Sequence, residues 1–208
     1  NRAQTSLEPN IKYVSDYTYW ENNSISGYRN SIEYLYSYKA LPYDRNNSLL
    51  ESSSFNRFMI DNRYYKSIFN GVSFAFRFYG GKTWNWSNQN LSDENKFYLG
   101  GSPCIDAWDC NVSMPFTMMF DEESVMPLRG IDIYSKSGDN VLLYNFELRL
   151  PFLIYYFPTI QFLGQINGAI FCDIGATWNG EYKKFLDRNS WRGINTSPNP
   201  TGWAMSYG

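Results

Sequence analysis

The side chains of this sequence change character at every second residue, over runs longer than a soluble strand needs. Between residues 140 and 150 the even positions hold Leu142, Tyr144, Phe146, Leu148 and Leu150, while Asn145, Glu147 and Arg149 sit on odd ones. Between 71 and 79, Val72, Phe74, Phe76 and Phe78 alternate with Gly71, Ser73, Ala75, Arg77 and Tyr79. Between 27 and 39, Tyr28, Ile32, Tyr34, Tyr36 and Tyr38 oppose Arg29, Ser31, Glu33, Ser37 and Lys39. Between 160 and 178, Ile160, Phe162, Ile166, Ile170, Ile174 and Trp178 oppose Gln161, Gln165, Asn167, Asp173 and Thr177. Residues 54–64 are less regular, yet Arg57, Asp61 and Arg63 again share one parity. Only an extended chain puts alternate side chains on opposite faces, and no stripe at helical spacing competes with it.

The pattern predicts strands over residues 11–20, 26–39, 54–64, 68–80, 139–150 and 160–178, with another beginning near 203. Soluble strands average about 5–6 residues, and several of these are twice that or more. The connections alternate between short and long: 21–25, then 40–53, then 65–67, then 81–138, then 151–159, then 179–202. Tight turns at one end and long loops at the other belong to an outer-membrane barrel. A soluble antiparallel sandwich gives the same alternation without the strand length or the loop asymmetry. The fold class expected is therefore all-β, an antiparallel transmembrane β-barrel.

Composition agrees once the faces are separated. Of 208 residues, 19% are aromatic and 18% charged, with a net charge of -2. One ring-rich face per strand and one charge-balanced face account for both figures. Rings with an apolar body and a polar edge belong at the membrane–water boundary. The longest uncharged apolar run, residues 151–158, is far short of the roughly 20 that a membrane helix needs. A mean hydropathy of -0.46 is no objection, because every second residue of a barrel strand faces water. Balanced charge argues against nucleic acid, which calls for a concentrated basic surface. The chain has no histidine, so histidine triads and the commonest zinc sites are excluded. The short acidic run Asp121, Glu122 and Glu123 has no ligand spacing around it, and Asp106 and Asp109 have no catalytic partner. No catalytic residue, metal site or cofactor is expected.

In a barrel the charged parity lines the lumen: Arg29, Glu33, Arg57, Asp61, Arg63, Arg77, Glu147, Arg149 and Asp173. Five arginines and four acids can pair across neighbouring strands, giving a wet, charge-balanced interior. Of three cysteines, Cys104 and Cys110 stand six apart in a polar loop and form a candidate disulfide in an oxidising compartment; two free thiols are the alternative. Cys172 belongs to a strand.

Motifs in the second half narrow the class. They are Phe97-Tyr98-Leu99-Gly100-Gly101, then Pro127-Leu128-Arg129-Gly130-Ile131 in the longest loop, then Glu147-Leu148-Arg149, then Phe171-Cys172-Asp173-Ile174-Gly175. In this order they resemble the C-terminal barrel of the BamA/TamA-like outer-membrane insertase family, the bacterial surface antigen proteins. There the sixth extracellular loop folds back into the barrel on a (Val/Ile)-Arg-Gly-(Phe/Tyr) motif. Its arginine is held by the Phe-x-Asp-x-Gly motif of the thirteenth strand and by an acidic residue of the twelfth. The resemblance implies that Arg129 and Gly130 belong to such a lock, with Glu147, Phe171, Asp173 and Gly175 on the wall. Parity supports it independently, since Glu147, Phe171 and Asp173 all fall on the inward face. Leu128 and Ile131 depart from the family's usual residues, so the packing role of the aromatic ring is either lost or supplied by nearby Tyr134.

Residues 1–208 then read as one partial barrel domain of about seven strands from a probable sixteen, the eighth to the start of the fourteenth, with loop 81–138 turning back toward the lumen. Seven strands leave both edges unpaired, so the segment reads as a piece of a longer protein. The function implied is insertion of outer-membrane proteins or translocation of polypeptide in the bacterial outer membrane. Its implied partners are outer-membrane lipid, nascent or unfolded outer-membrane proteins, and accessory subunits or periplasmic domains of the same protein. A two-partner-secretion transporter, a passive porin and a secreted carbohydrate-binding sandwich are the alternatives, the last suggested by Trp84, Trp86, Trp108, Trp191 and Trp203.

Overall fold

A computed structural model of the chain describes residues 5–21, 24–40, 54–69, 72–85, 91, 95–100, 125–131, 135–150, 168–180 and 202–208. They form β1 (Thr5–Leu7), β2 (Asn10–Asp16), β3 (Tyr19–Glu21), β4 (Ser24–Ala40), β5 (Phe55–Phe69), β6 (Val72–Trp84), β7 (Phe97–Leu99), β8 (Val125–Met126), β9 (Lys136–Gly138), β10 (Asn140–Leu150), β11 (Gly168–Trp178) and β12 (Gly202–Tyr207). No α-helix occurs among the described residues.

The large sheet is an antiparallel meander in the order β4, β5, β6, β10, β11, β12, with β1, β2 and β3 all paired along the free edge of β4. The register of those three pieces is one register: Leu7 faces Tyr38, Asn10 faces Leu35, Asp16 faces Arg29 and Tyr19 faces Ser26. They are one interrupted strand, so among the described residues seven strands make up the sheet. The break falls within the strand expected over 11–20. The Thr18 amide and hydroxyl both donate to Asp16 Oδ1, at 3.0 and 2.7 Å, a local bond that competes with the ladder. Opposite the break Gly27 has φ of 110°, and a Cβ there would lie 2.1 Å from the Tyr17 carbonyl oxygen.

Other boundaries shift modestly. Residues 65–67, expected as a turn, lie in the β5–β6 ladder, which runs on to Phe69 and Val72 through a bulge. Residues 81–84, expected to open the long loop, complete β6. The stretch 160–167 and the cysteines Cys104 and Cys110 lie outside the described residues. Among the described residues the first and last strands do not pair with one another, so the sheet is an unclosed, incomplete barrel. Eleven residues in β10 span roughly 36 Å, or roughly 28 Å at a typical barrel tilt, close to the bilayer core.

One face of the sheet carries the aromatic parity. On it Tyr28, Ile32, Tyr34, Tyr38, Phe58, Tyr64, Phe146 and Ile170 are each 36–59% exposed. Rings stack across β6 and β10, with Phe76–Phe146 centroids 5.0 Å apart and Phe78–Tyr144 at 5.3 Å. The other face is inner in the sense that a small sheet, β8-β7-β9, packs on it. Here the structure corrects the expectation of a wet interior throughout. Met59, Tyr79, Val141, Leu143 and Ala204 of the wall meet Phe97, Leu99, Met126 and Leu128 in a buried apolar cluster. Phe97, Leu99, Leu128 and Leu143 have no exposed surface at all. The chain between β6 and β10 thus contributes a dry core on the inner wall, and that core fixes the height of the loop arginine below it.

Candidate functional site

Arg129 follows Leu128, whose burial in the apolar cluster aims the next side chain down the wall. Gly130 then turns the backbone at φ of 75°, in the left-handed region that glycine tolerates best. The contribution of Gly130 is that angle and not extra room, since a Cβ there would meet Ser206 Cβ at an ordinary 3.4 Å. The guanidinium is held on three sides. Nε and Nη2 donate to the two oxygens of Asp173 at 2.7 and 2.9 Å, and Nη1 donates to Glu147 Oε2 at 2.9 Å. The Arg129 amide adds a longer contact to Asp173 at 3.4 Å. The plane lies over the Phe171 ring, 3.8 Å from its centroid. Two parallel N–H bonds to one carboxylate are among the strongest pairings that side chains make, and the stacked ring adds a cation–π attraction.

Strand register sets this geometry. Asn145 faces Asp173 and Glu147 faces Phe171, so the two acids are diagonal neighbours on β10 and β11. Asp173 has no exposure, whereas Glu147 is one-fifth exposed and also takes Arg149 Nε at 2.6 Å. Hydrogen bonding to Asp173 pushes the Arg129 pKa further up, against the effect of its burial, so the arginine stays charged. Phe171 is itself tied to the last strand, exchanging backbone bonds of 2.7 and 3.1 Å with Gly208. A Cβ on Gly208 would come within 2.8 Å of that ring. Gly175 does leave room on the wall, because a Cβ would sit 3.0 Å from Leu99 Cδ1 and 3.4 Å from Leu128 Cδ1.

The other charged residues expected on the inner face fall into three groups. Asp61 bridges two arginines that face each other in the ladder, Arg63 at 2.6 Å and Arg77 at 2.9 Å. Glu33, nearly buried, pairs with Lys12 at 2.9 Å and accepts from Asn10, while Arg29 lies 3.7 Å from Asp16. Arg57 departs from the expected cross-strand pairing. Among the described residues its partners are neutral: Thr83 Oγ1 at 3.4 Å, the Asn95 carbonyl at 3.2 Å, and the rings of Phe55 and Phe97 at 5.3 and 5.1 Å. It therefore fastens the start of the long loop, as Arg129 fastens its far end. Phe97 seats against Gly81, where a Cβ would come within 2.6 Å of the ring. Sequence reasoning assigns Asn95 and Gly81 no role, and Phe97 none beyond its motif. The signal present is the parity of Phe97 and Leu99, two like residues flanking one polar-tipped Tyr98.

Long antiparallel strands, an unclosed sheet with an aromatic outer face, and a loop bound to the inner face define part of a transmembrane β-barrel with an internally docked loop. A profile of the Omp85 superfamily domain matches residues 16–208. The chain belongs to the Omp85 superfamily, outer-membrane proteins of protein insertion and secretion. No curated relative matches it.

Proposed function

We propose that this segment belongs to an outer-membrane barrel of the BamA-like kind, which inserts outer-membrane proteins, and that the docked loop is the part of that machinery it contributes. In this reading the aromatic face meets lipid, the loop enters from the cell exterior, and the substrates are unfolded outer-membrane proteins. The observation that carries it is the Arg129 lock onto Asp173 and Glu147, roughly 17–23 Å along the strands from their loop ends at Trp178 and Asn140. A loop reaching that far, on a charge-assisted anchor, is built to stay inside. The dry cluster beneath β7 weighs against a passive porin, since it fills inner-face space that a conduction path would use.

The test is insertion of a barrel substrate into liposomes by the full-length protein. Arg129→Ala and Asp173→Ala should each slow insertion and expose the loop to protease. Digestion and insertion both unchanged would sink the reading; faster digestion with normal insertion would leave a structural lock and remove its proposed role.

A further inference from the structure

Between the docked loop and the wall lies a cavity of about 190 Å³, and none of the interactions described so far fills it. Its floor is Ala75 of β6, small enough to leave a gap between its ladder neighbours Tyr65 and Glu147. Its roof is Pro127 and Arg129 of the loop. Four arginines line it, Arg63, Arg77, Arg129 and Arg149, with side chains 21–39% exposed. Among the described residues three carboxylates serve those four arginines: Asp61 for two of them, Asp173 for one, and Glu147 for two. One positive charge is left over in a confined space. The donors follow the same count. Arg149 gives only Nε to Glu147, so among the described residues its two terminal nitrogens are unspent. Fixed cationic forks in a partly enclosed cavity attract an anion that can accept two N–H bonds at once.

From this cavity we infer a binding site for a single carboxylate on a short aliphatic stem, of the kind a glutamate side chain presents. The surplus of one charge matches a monoanion; a phosphate, at close to two charges, would overshoot it. The cavity is larger than one water or a lone halide needs and has room for the five heavy atoms of a glutamate side chain. Pro127 and Ala75 give the stem an apolar bed, and the terminal nitrogens of Arg149, which make no other bond among the described residues, take the head, since Arg63 is spent on Asp61. Two sources supply such a group: an acidic side chain of a polypeptide inside the barrel, or a free carboxylate. The site needs the loop docked as it is, and does not need the barrel to insert proteins.

Binding to the full-length protein in detergent, followed by ligand-observed NMR, tests this with four probes: sodium butyrate, an end-blocked peptide with one Glu among Gly and Ser, its Gln counterpart, and sodium chloride. Butyrate, the Glu peptide or both should bind saturably in the millimolar range. The Gln peptide and chloride should be weaker by about tenfold, the value of one charge-assisted bond. Arg149→Gln should weaken the carboxylate by a similar factor through lost charge, and Ala75→Leu by filling the floor. Ala75→Leu should leave loop digestion unchanged, which separates a filled cavity from a loosened loop. Should it not fold, Arg149→Gln carries the test alone. Binding of the Glu peptide alone assigns the site to polypeptide, and equal butyrate binding assigns it to free carboxylates as well. Equal affinity for the Gln peptide or chloride, or an Arg149→Gln variant that binds as the parent does, overturns the site whatever the insertion assay gives.

Discussion

At the scale of single residues, what the Arg129 lock is worth depends on what its removal strands. Arg129→Ala strips Asp173, fully buried in the parent, of its cationic partner, which costs about 3–5 kcal/mol of loop anchorage. Arg129→Lys keeps the charge but loses the parallel pair of bonds to Asp173 and the flat contact with Phe171, so its loss should fall between parent and alanine. The double variant Arg129→Ala/Asp173→Ala should lose less than the two single losses together, because neither charge is then stranded. Loop protease half-lives for these variants and the parent measure all of this, and strict additivity would mean that the two residues act apart. The contact is legible in the sequence, because parity places Glu147, Phe171 and Asp173 on one face and the family resemblance supplies the arginine. Arg57 is not. An arginine on a charged face reads as half of an ion pair, and nothing in sequence says that two rings and a carbonyl oxygen 38 positions away will take that part.

At the scale of elements, long strands declare themselves and short ones do not. Period-2 patterning over ten residues has five chances to agree with itself, which is why β4, β6 and β10 are visible in the chain. The three strands β7, β8 and β9 have three, two and three residues, too few to show a period, and they are ordered by the wall beneath them. The break between β2 and β3 is hidden for a related reason: Asp16 and Thr18 keep the alternation intact while bonding to each other. The wall side of that short-strand packing is testable at Gly175. Gly175→Val presses on Leu99 and Leu128 without touching Arg129 chemistry, and overpacking of this kind costs about 1–3 kcal/mol. The loop should become protease-sensitive while the sheet still assembles. Phe97→Ala should do the same at the other anchor, by about 3–5 kcal/mol. A loop as resistant as the parent's in both variants would show that the dry cluster does not hold it.

At the scale of the whole molecule, the two faces predict opposite tolerance to charge. Ile32 is 44% exposed on the aromatic face, and its chain neighbour Ser31 points the other way. If the aromatic face meets lipid, Ile32→Arg should cost about 2–4 kcal/mol near mid-membrane, whereas Ser31→Arg, across from Asp61, should cost little. The membrane-assembled fraction of each variant decides it, and equal assembly would put both faces in water.

The diagonal placement of Glu147 and Asp173 also bears on how the barrel matures. In the observed register, with Asn145 opposite Asp173, one guanidinium reaches both acids. A slip of two residues keeps every side chain on its proper face, so burial alone does not reject it. Slipped one way, the two carboxylates stand directly opposite at about 5 Å and repel until a cation arrives; slipped the other way, they separate by roughly 13 Å and no arginine spans them. Docking of Arg129 in its present geometry is therefore an inspection step in folding, favoured in a sheet where β10 and β11 have already found their pairing.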